Sequence, residues 1–360
     1  MNAYAPPIPY RPDLEHVEPD EAAHIAELES VFVRMARTVA EHEGHAHRAV
    51  HAKGHALLDA ELEVEPGLPP ELAQGLFATP GRYRAIVRLS SPPAEQLPDS
   101  VSTPRAIALK VLGVEGGRAL GAEEAHTQDF LMVNGPAFTS PGVKGFLRSA
   151  KLLAATTERM PLTKQVISAT LRGMERALEA AGGESAKLKG LGGQPQVHPL
   201  GETYFTQVPF LYGPYIAKFS LAPVSPNLLA LHGRALEGDA DAQREAIAAF
   251  FGQLAAPAEW ALRAQLCRDA TRMPIEDASV EWPEAESPHV IVARLRVPPQ
   301  AAWQGEGSAQ REDALAFSPW HALAAHRPLG AINRARRVVM AASRAFRADF
   351  NRCPIHEPRA

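Results

Sequence analysis

The 360-residue chain holds only two cysteines, Cys267 and Cys353, far apart and without a CxxC pair. That excludes a disulfide framework and a zinc knuckle, and it suits a reducing compartment. No run of about 18 apolar residues occurs, so no membrane-spanning helix is expected. The start, MNAYAPPIPYRPDLE, lacks a basic segment followed by an apolar one, which predicts a cytoplasmic protein that neither enters nor crosses a membrane. An excess of one charge is missing too: 37 basic and 41 acidic residues are spread along the chain, for a formal charge of −4. Without a basic footprint, neither nucleic acid nor an anionic membrane is expected as a partner.

What is present is the composition of a folded globular protein, 46% hydrophobic and 22% charged. Residues 1–19 are rich in proline, which fixes φ and removes backbone donors, so they read as an extended arm. Arms of this kind pack on neighbouring subunits and permit a homodimer or homotetramer. From Asp20 the apolar residues Ile25, Leu28, Val31, Phe32, Met35 and Val39 recur at helical spacing. Strand character follows in ALLDAELEV, RYRAIVRLSS, RAIALKVLGV and TQDFLMVN, separated by turns too short for crossover helices. A helical period runs from about Lys144 to Ala181, and AGGESAKLKGLGGQPQ reads as a glycine-rich loop. Strands are then expected at TYFTQVPFL, YIAKFSLAPV and NLLALHGRAL, a helix over 240–269, a strand at HVIVARLRVPP, and a closing helix from about Gly330 to Asn351. Residues 20–360 thus read as a single α+β domain around an antiparallel sheet, closed as a barrel with helices outside.

Five histidines fall between His42 and His55. His47 and His51 are four apart, as metal ligands on a helix face can be, but no HExxH or cysteine partner accompanies them. A solvated histidine-rich segment and a catalytic imidazole are the other readings. Taken singly, Arg48 and Arg88 read as surface charges and Asn134 in VNGPAF as a turn residue. In the last helix Arg336, Met340, Ser343 and Arg347 share one face, at offsets of four, seven and eleven.

Ordered along the chain, these pieces resemble the core of the haem catalases. RAVHAKG (48–54) resembles the R-x-V-H-A-K-G segment that carries the distal histidine. YRAIVRLSS (83–91) resembles the V-R-F-S strand, and PRAIALKVLGVEG (104–116) resembles P-R-G-F-A-V-K-F-Y-T-x-E-G. DFLMVNGPAF (129–138) is similar to D-L-V-G-N-N-T-P-V-F-F, one residue shorter, and LAFSPWH (315–321) to the L-A-F-S-P segment. The resemblance covers residues 45–150 and 310–350 well and the middle loosely. It looks closest to the small catalase-related haem proteins, which include hydroperoxide-converting members.

The resemblance implies a catalase-like antiparallel eight-stranded β-barrel with surrounding α-helices, haem b with its iron as cofactor, and hydrogen peroxide or an organic hydroperoxide as substrate. It implies that His51 acts as the distal base and Asn134 orients the peroxide. Val50 and Phe146 keep the pocket apolar, Ser90 hydrogen-bonds the distal histidine, and Arg48, Arg88 and Arg347 pair with the haem propionates.

One departure stands out. The catalase pattern R-x-x-x-Y supplies an anionic tyrosinate to the iron, whereas here Arg336 is followed by Met340. A neutral thioether is a soft, weak ligand that favours ferrous iron, so strong catalase turnover is not expected. Three readings stay open: a haem protein with methionine- or water-ligated iron and altered chemistry; a binding or structural protein that keeps the scaffold without haem; and an ordinary haem enzyme whose tyrosine has been substituted.

Overall fold

Period-two alternation decides the architecture in the computed structural model, which describes residues 4–101, 103–123, 125–157, 195–236, 238 and 240–358. Strands β1 (Lys53–Val64), β2 (Arg82–Ser91), β3 (Ala106–Leu112) and β4 (Thr127–Val133) form a meander of antiparallel pairs. Strands β5 (Tyr204–Phe205), β6 (Phe210–Tyr212), β7 (Tyr215–Pro223), β8 (Ala258–Leu266) and β9 (Val290–Val297) follow. The order β5-β4-β3-β2-β1-β9-β8-β7 closes on itself through a β5–β7 pairing, giving an eight-stranded antiparallel barrel, with β6 added as a hairpin on β7.

Alternate residues of each strand fill the barrel. Val87 and Leu89, Ile107 and Leu109, Phe130 and Met132, and Trp260 and Leu262 belong to one buried apolar cluster. Phe219 sits at its centre, with ring centroids 4.8 Å from Phe130 and 5.7 Å from Phe210. The residues between them point outward, and on β2–β4 that outer face is covered rather than solvated. The cover consists of helices α1 (Glu21–Glu43), α2 (Val143–Thr157) and α6 (Ala331–Phe350). They share a second apolar cluster that includes Leu28, Phe32, Val39, Leu147, Ala335 and Val339. The other described helices are α3 (Pro226–Leu229), α4 (Ala242–Gly252) and α5 (Glu306–Asp313). No described helix is long and apolar enough to cross a membrane.

Three expectations from the sequence need correction. NLLALHGRAL is not a strand: Pro226 fits the first helical position after Ser225, and a single helical turn and reverse turns result. The helix expected over 240–269 stops at Gly252, and Ala258–Leu266 is strand β8, whose Ala258, Trp260, Leu262, Ala264 and Leu266 alternate into the barrel. TYFTQVPFL is two short strands, split at Gln207, which adopts φ 64° and donates its carboxamide to the carbonyls of Gly135 and Ala137 at 3.1 and 2.7 Å. The helical period expected over 144–181 is helix α2 as far as Thr157, and its remainder, with most of the glycine-rich loop, lies outside the described residues.

The described part of the arm lies on its own chain. Ile8 and Tyr10 donate main-chain hydrogen bonds to Cys267 and Pro214. Glu15 then reaches α6, accepting from the Gly330 N–H at 3.1 Å, while Glu276 accepts from Ala331 N–H at 2.8 Å. These carboxylates cap the positive end of the helix, and Arg334 ties Glu15, Glu21 and Glu276 together from the first turn. The register of α6 is therefore fixed at its N-terminus, two turns before Met340.

Candidate functional site

Between the outer face of β2–β4 and the three covering helices lies a cavity of about 230 Å³. Its floor is built from cross-strand rows, Arg88–Ala108–Leu131 and Ser90–Ala106–Val133. Alanines at the middle strand leave a level surface where larger side chains would fill the space. Phe32, Phe138, Phe146, Val50, Val339 and Met340 supply the apolar walls, so the lining is mostly apolar with a few cationic groups. Phe146 packs edge-on to Phe138 at 5.1 Å and beside Phe32 at 5.7 Å.

The loop 44–52 brings RAVHAKG to one side of this cavity. Gly44 ends α1 in the left-handed region, φ 70°, and turns the chain back along α6. Asn351 holds both the N–H and the carbonyl of Ala46, at 2.8 and 2.9 Å, and Ser343 accepts from Ala49 N–H at 3.2 Å. His51 itself has φ 56°, and its carbonyl accepts from Arg88 Nη2 at 2.8 Å. Its Nδ1 is buried without a hydrogen-bond partner among the described residues. Burial first, then Arg88 and Arg336, push the imidazole down to about 3, so it is neutral at ordinary pH.

The arginines converge from three elements. Arg48 donates to Glu312 Oε1 at 3.1 Å and to the carbonyls of Glu312 and Leu315 at 2.9 Å each. Arg88 pairs with the same Glu312 carboxylate. Arg347 donates to the carbonyls of Asp313 and Leu315 at 3.2 and 3.1 Å, and its Nε has no partner among the described residues. Arg336 stands over the Phe138 ring at 5.7 Å with its Nη1 buried and without a partner among the described residues; burial lowers the guanidinium's pKa to about 10.

Of the residues singled out from the sequence, Arg48, Val50, His51, Arg88, Ser90, Phe146, Arg336, Met340 and Arg347 all line this one cavity. Asn134 is not among its lining residues. The Asn134 Oδ1 accepts from Arg105 N–H at 2.9 Å and its Nδ2 donates to Glu202 Oε1 at 2.9 Å. Ser90 is in the floor row, yet His51 Nδ1 has no hydrogen-bond partner among the described residues. Three of the other four histidines of the cluster are engaged elsewhere: His45 with Asp313 at 2.8 Å, His47 with Glu43 at 3.0 Å, and His55 with Ser91 at 2.9 Å. Among the described residues no group of three or more His, Cys, Asp or Glu could hold a metal ion. The floor alanines, Phe32, Phe138 and Glu312 were not singled out. The alternation in RAIALKVL could have revealed the alanines, while Glu312 sits in a polar helix with no apolar stripe to place it.

No protein-family model matches this chain, and no curated protein matches it. Solved structures do. A fungal catalase superposes with a TM-score of 0.57 and 16% identity over 88% of this chain and 63% of that one. A bacterial catalase gives 0.58 and 17% over 91% and 63%, and catalase A from Saccharomyces cerevisiae gives 0.58 and 16% over 99% and 70%. The chain thus spans 63% of the length of the first two catalases it matches. At such identity the likeness is one of architecture, and on barrel order, helical cover and superposition this chain has the catalase fold.

Proposed function

We propose that the cavity binds haem b and that the chain acts on hydrogen peroxide or an organic hydroperoxide, as a peroxidase, catalase or hydroperoxide-rearranging enzyme weakened by Met340. The carrying observation is the combination of a level, apolar cavity with buried guanidinium nitrogens, Arg336 Nη1 and Arg347 Nε, that lack partners among the described residues. Such a lining fits a flat apolar ligand bearing acidic groups at its edge, and a dicarboxylate porphyrin is one. Arg48, Arg88 and Arg347 would hold its carboxylates, Val50 and Phe146 its apolar faces, and Met340 would be the side chain offered to the iron. When bound, the haem supplies the iron redox chemistry for cleaving an O–O bond.

The protein's part is proton handling and exclusion of water. His51, kept neutral by burial, takes the proton from the attacking peroxide and returns it to the departing oxygen. Arg88 holds the His51 carbonyl, which fixes the ring's position relative to β2. Asn134 is the candidate second group, and it reaches a substrate only on release from Glu202. Met340 would offer the iron a neutral thioether in place of an anion, a soft, weak ligand that would give slower turnover than a phenolate.

A second reading, a non-catalytic haem-binding or haem-free protein on the same scaffold, is favoured by one observation: Glu312 and main-chain carbonyls already satisfy much of Arg48 and Arg88. An absorption spectrum after haemin reconstitution separates the two. The enzyme reading expects a Soret band and peroxide consumption that rises in Met340→Tyr, with a spectrum moved toward a phenolate-ligated ferric form. Absence of a Soret band removes it, and an unchanged spectrum in Met340→Tyr shows that residue 340 does not meet the iron.

A further inference from the structure

We propose that Glu312 is the resident counter-ion of the cavity's arginines: it neutralises them in the ligand-free chain and opposes capture of a carboxylate-bearing ligand. The inference rests on the reading of the cavity as a porphyrin site and concerns what sets its affinity.

Glu312 lies in the last turn of helix α5, is only 6% exposed, and lies 264 and 224 positions along the chain from the two arginines it joins. Its Oε1 accepts from Arg48 at 3.1 Å and also from Arg88. Space for the carboxylate is kept by Gly54, where any Cβ would run into it. Donor accounting shows how much the group occupies. Arg48 spends Nη1 on Glu312 and Nη2 on two carbonyls, and Arg88 spends Nη2 on the His51 carbonyl. An arriving carboxylate therefore meets two arginines whose charge and donors are partly taken.

Charge gives the same sign. Arg48 and Arg88 share one buried carboxylate, and Arg347 adds its positive charge nearby, its own ion pair being Asp313 at 3.9 Å, which His45 engages at 2.8 Å. Removing Glu312 takes the shared anion from the two guanidiniums that it joins. That destabilises the ligand-free chain and draws in an anionic ligand. A purely structural prop predicts the opposite, since loosened arginines would bind a carboxylate less well.

The test titrates wild type and Glu312→Gln with haemin, and with haemin dimethyl ester, whose carboxylates are capped, and follows absorbance. The melting temperature of each ligand-free protein is measured alongside. The expected result is a lower melting temperature for Glu312→Gln, haemin bound about tenfold more tightly, the order of one charge-assisted hydrogen bond, and unchanged ester affinity. Equal or weaker haemin binding by Glu312→Gln overturns the proposal while leaving the porphyrin site intact. Equal tightening for the ester also overturns it, because the gain would not depend on carboxylates. Failure of every protein to bind either porphyrin overturns both this and the site reading. Should Glu312→Gln not fold, the charge-balanced double variant Arg48→Gln/Glu312→Gln is expected to recover folding, and its failure to do so overturns the counter-ion role.

Discussion

His51 is held in the left-handed backbone region, which few non-glycine residues adopt and which histidine tolerates better than branched residues. Its carbonyl is thereby turned to Arg88, and the ring is left in the cavity wall with a buried Nδ1 that has no partner among the described residues. Because burial, Arg88 and Arg336 lower its pKa from 6.5 to about 3, the folded chain resists protonating it. The sign follows from linkage: this contribution to stability is complete above pH 6.5 and is lost as pH falls from there toward 3. Urea unfolding across that window is expected to show a shallower pH dependence in His51→Ala, and identical slopes would contradict the buried neutral ring. In haemin-loaded protein the same variant is expected to slow peroxide consumption about 10²–10⁴-fold at nearly unchanged haem content. Much of this was legible in RAVHAKG, where Arg48 and His51 share one short segment. Two details were not: Asn134 is drawn to Glu202 by contacts 68 residues apart, and Glu312 joins the site from a helix whose sequence, EGSAQRED, is polar throughout.

At the scale of elements, helix α6 carries Arg336, Met340, Ser343 and Arg347 to the cavity, and its position is set at its first turn. Glu276 accepts from Ala331 N–H and pairs with Arg334, so Glu276→Gln is expected to cost about 1–3 kcal/mol, measured by chemical denaturation. A loss below about 0.3 kcal/mol would show that the cap is incidental. Burial would raise the Glu15 carboxyl, but Gly330 N–H and Arg327 bring it below its ordinary 4.5. Its contribution is therefore present above pH 4.5 and lost on acidification through its lowered value. The closing helix was readable from its period, but not its caps, which come from Glu15 and Glu276 far along the chain. Strand β8 was not, because alanine-rich AEWALRAQL satisfies a helical propensity as well as a period of two, and closure of the barrel chose between them.

For the molecule as a whole, one barrel core supports everything outside it. Phe219 is fully buried among Phe77, Phe130, Phe210 and Tyr212, and Phe219→Ala is expected to cost about 3–5 kcal/mol. The site is not inside this barrel but on its outer wall, where outward residues of β2–β4 meet α1, α2 and α6. Closure of the sheet makes that wall stiff, and small residues at Ala106 and Ala108 make it level. The antiparallel sheet and its helical cover were legible from strand periodicity and short turns, whereas the closing β5–β7 contact, two residue pairs long, leaves no pattern in the sequence.

Whether a porphyrin lies on this wall is decided by titrating haemin into wild type and Ala108→Trp and following the Soret band. Wild type is expected to saturate at one haemin per chain, and Ala108→Trp, whose indole fills the floor, to show little or no specific binding with the barrel still folded by circular dichroism. Equal saturation by both proteins would put the ligand elsewhere and overturn the porphyrin site.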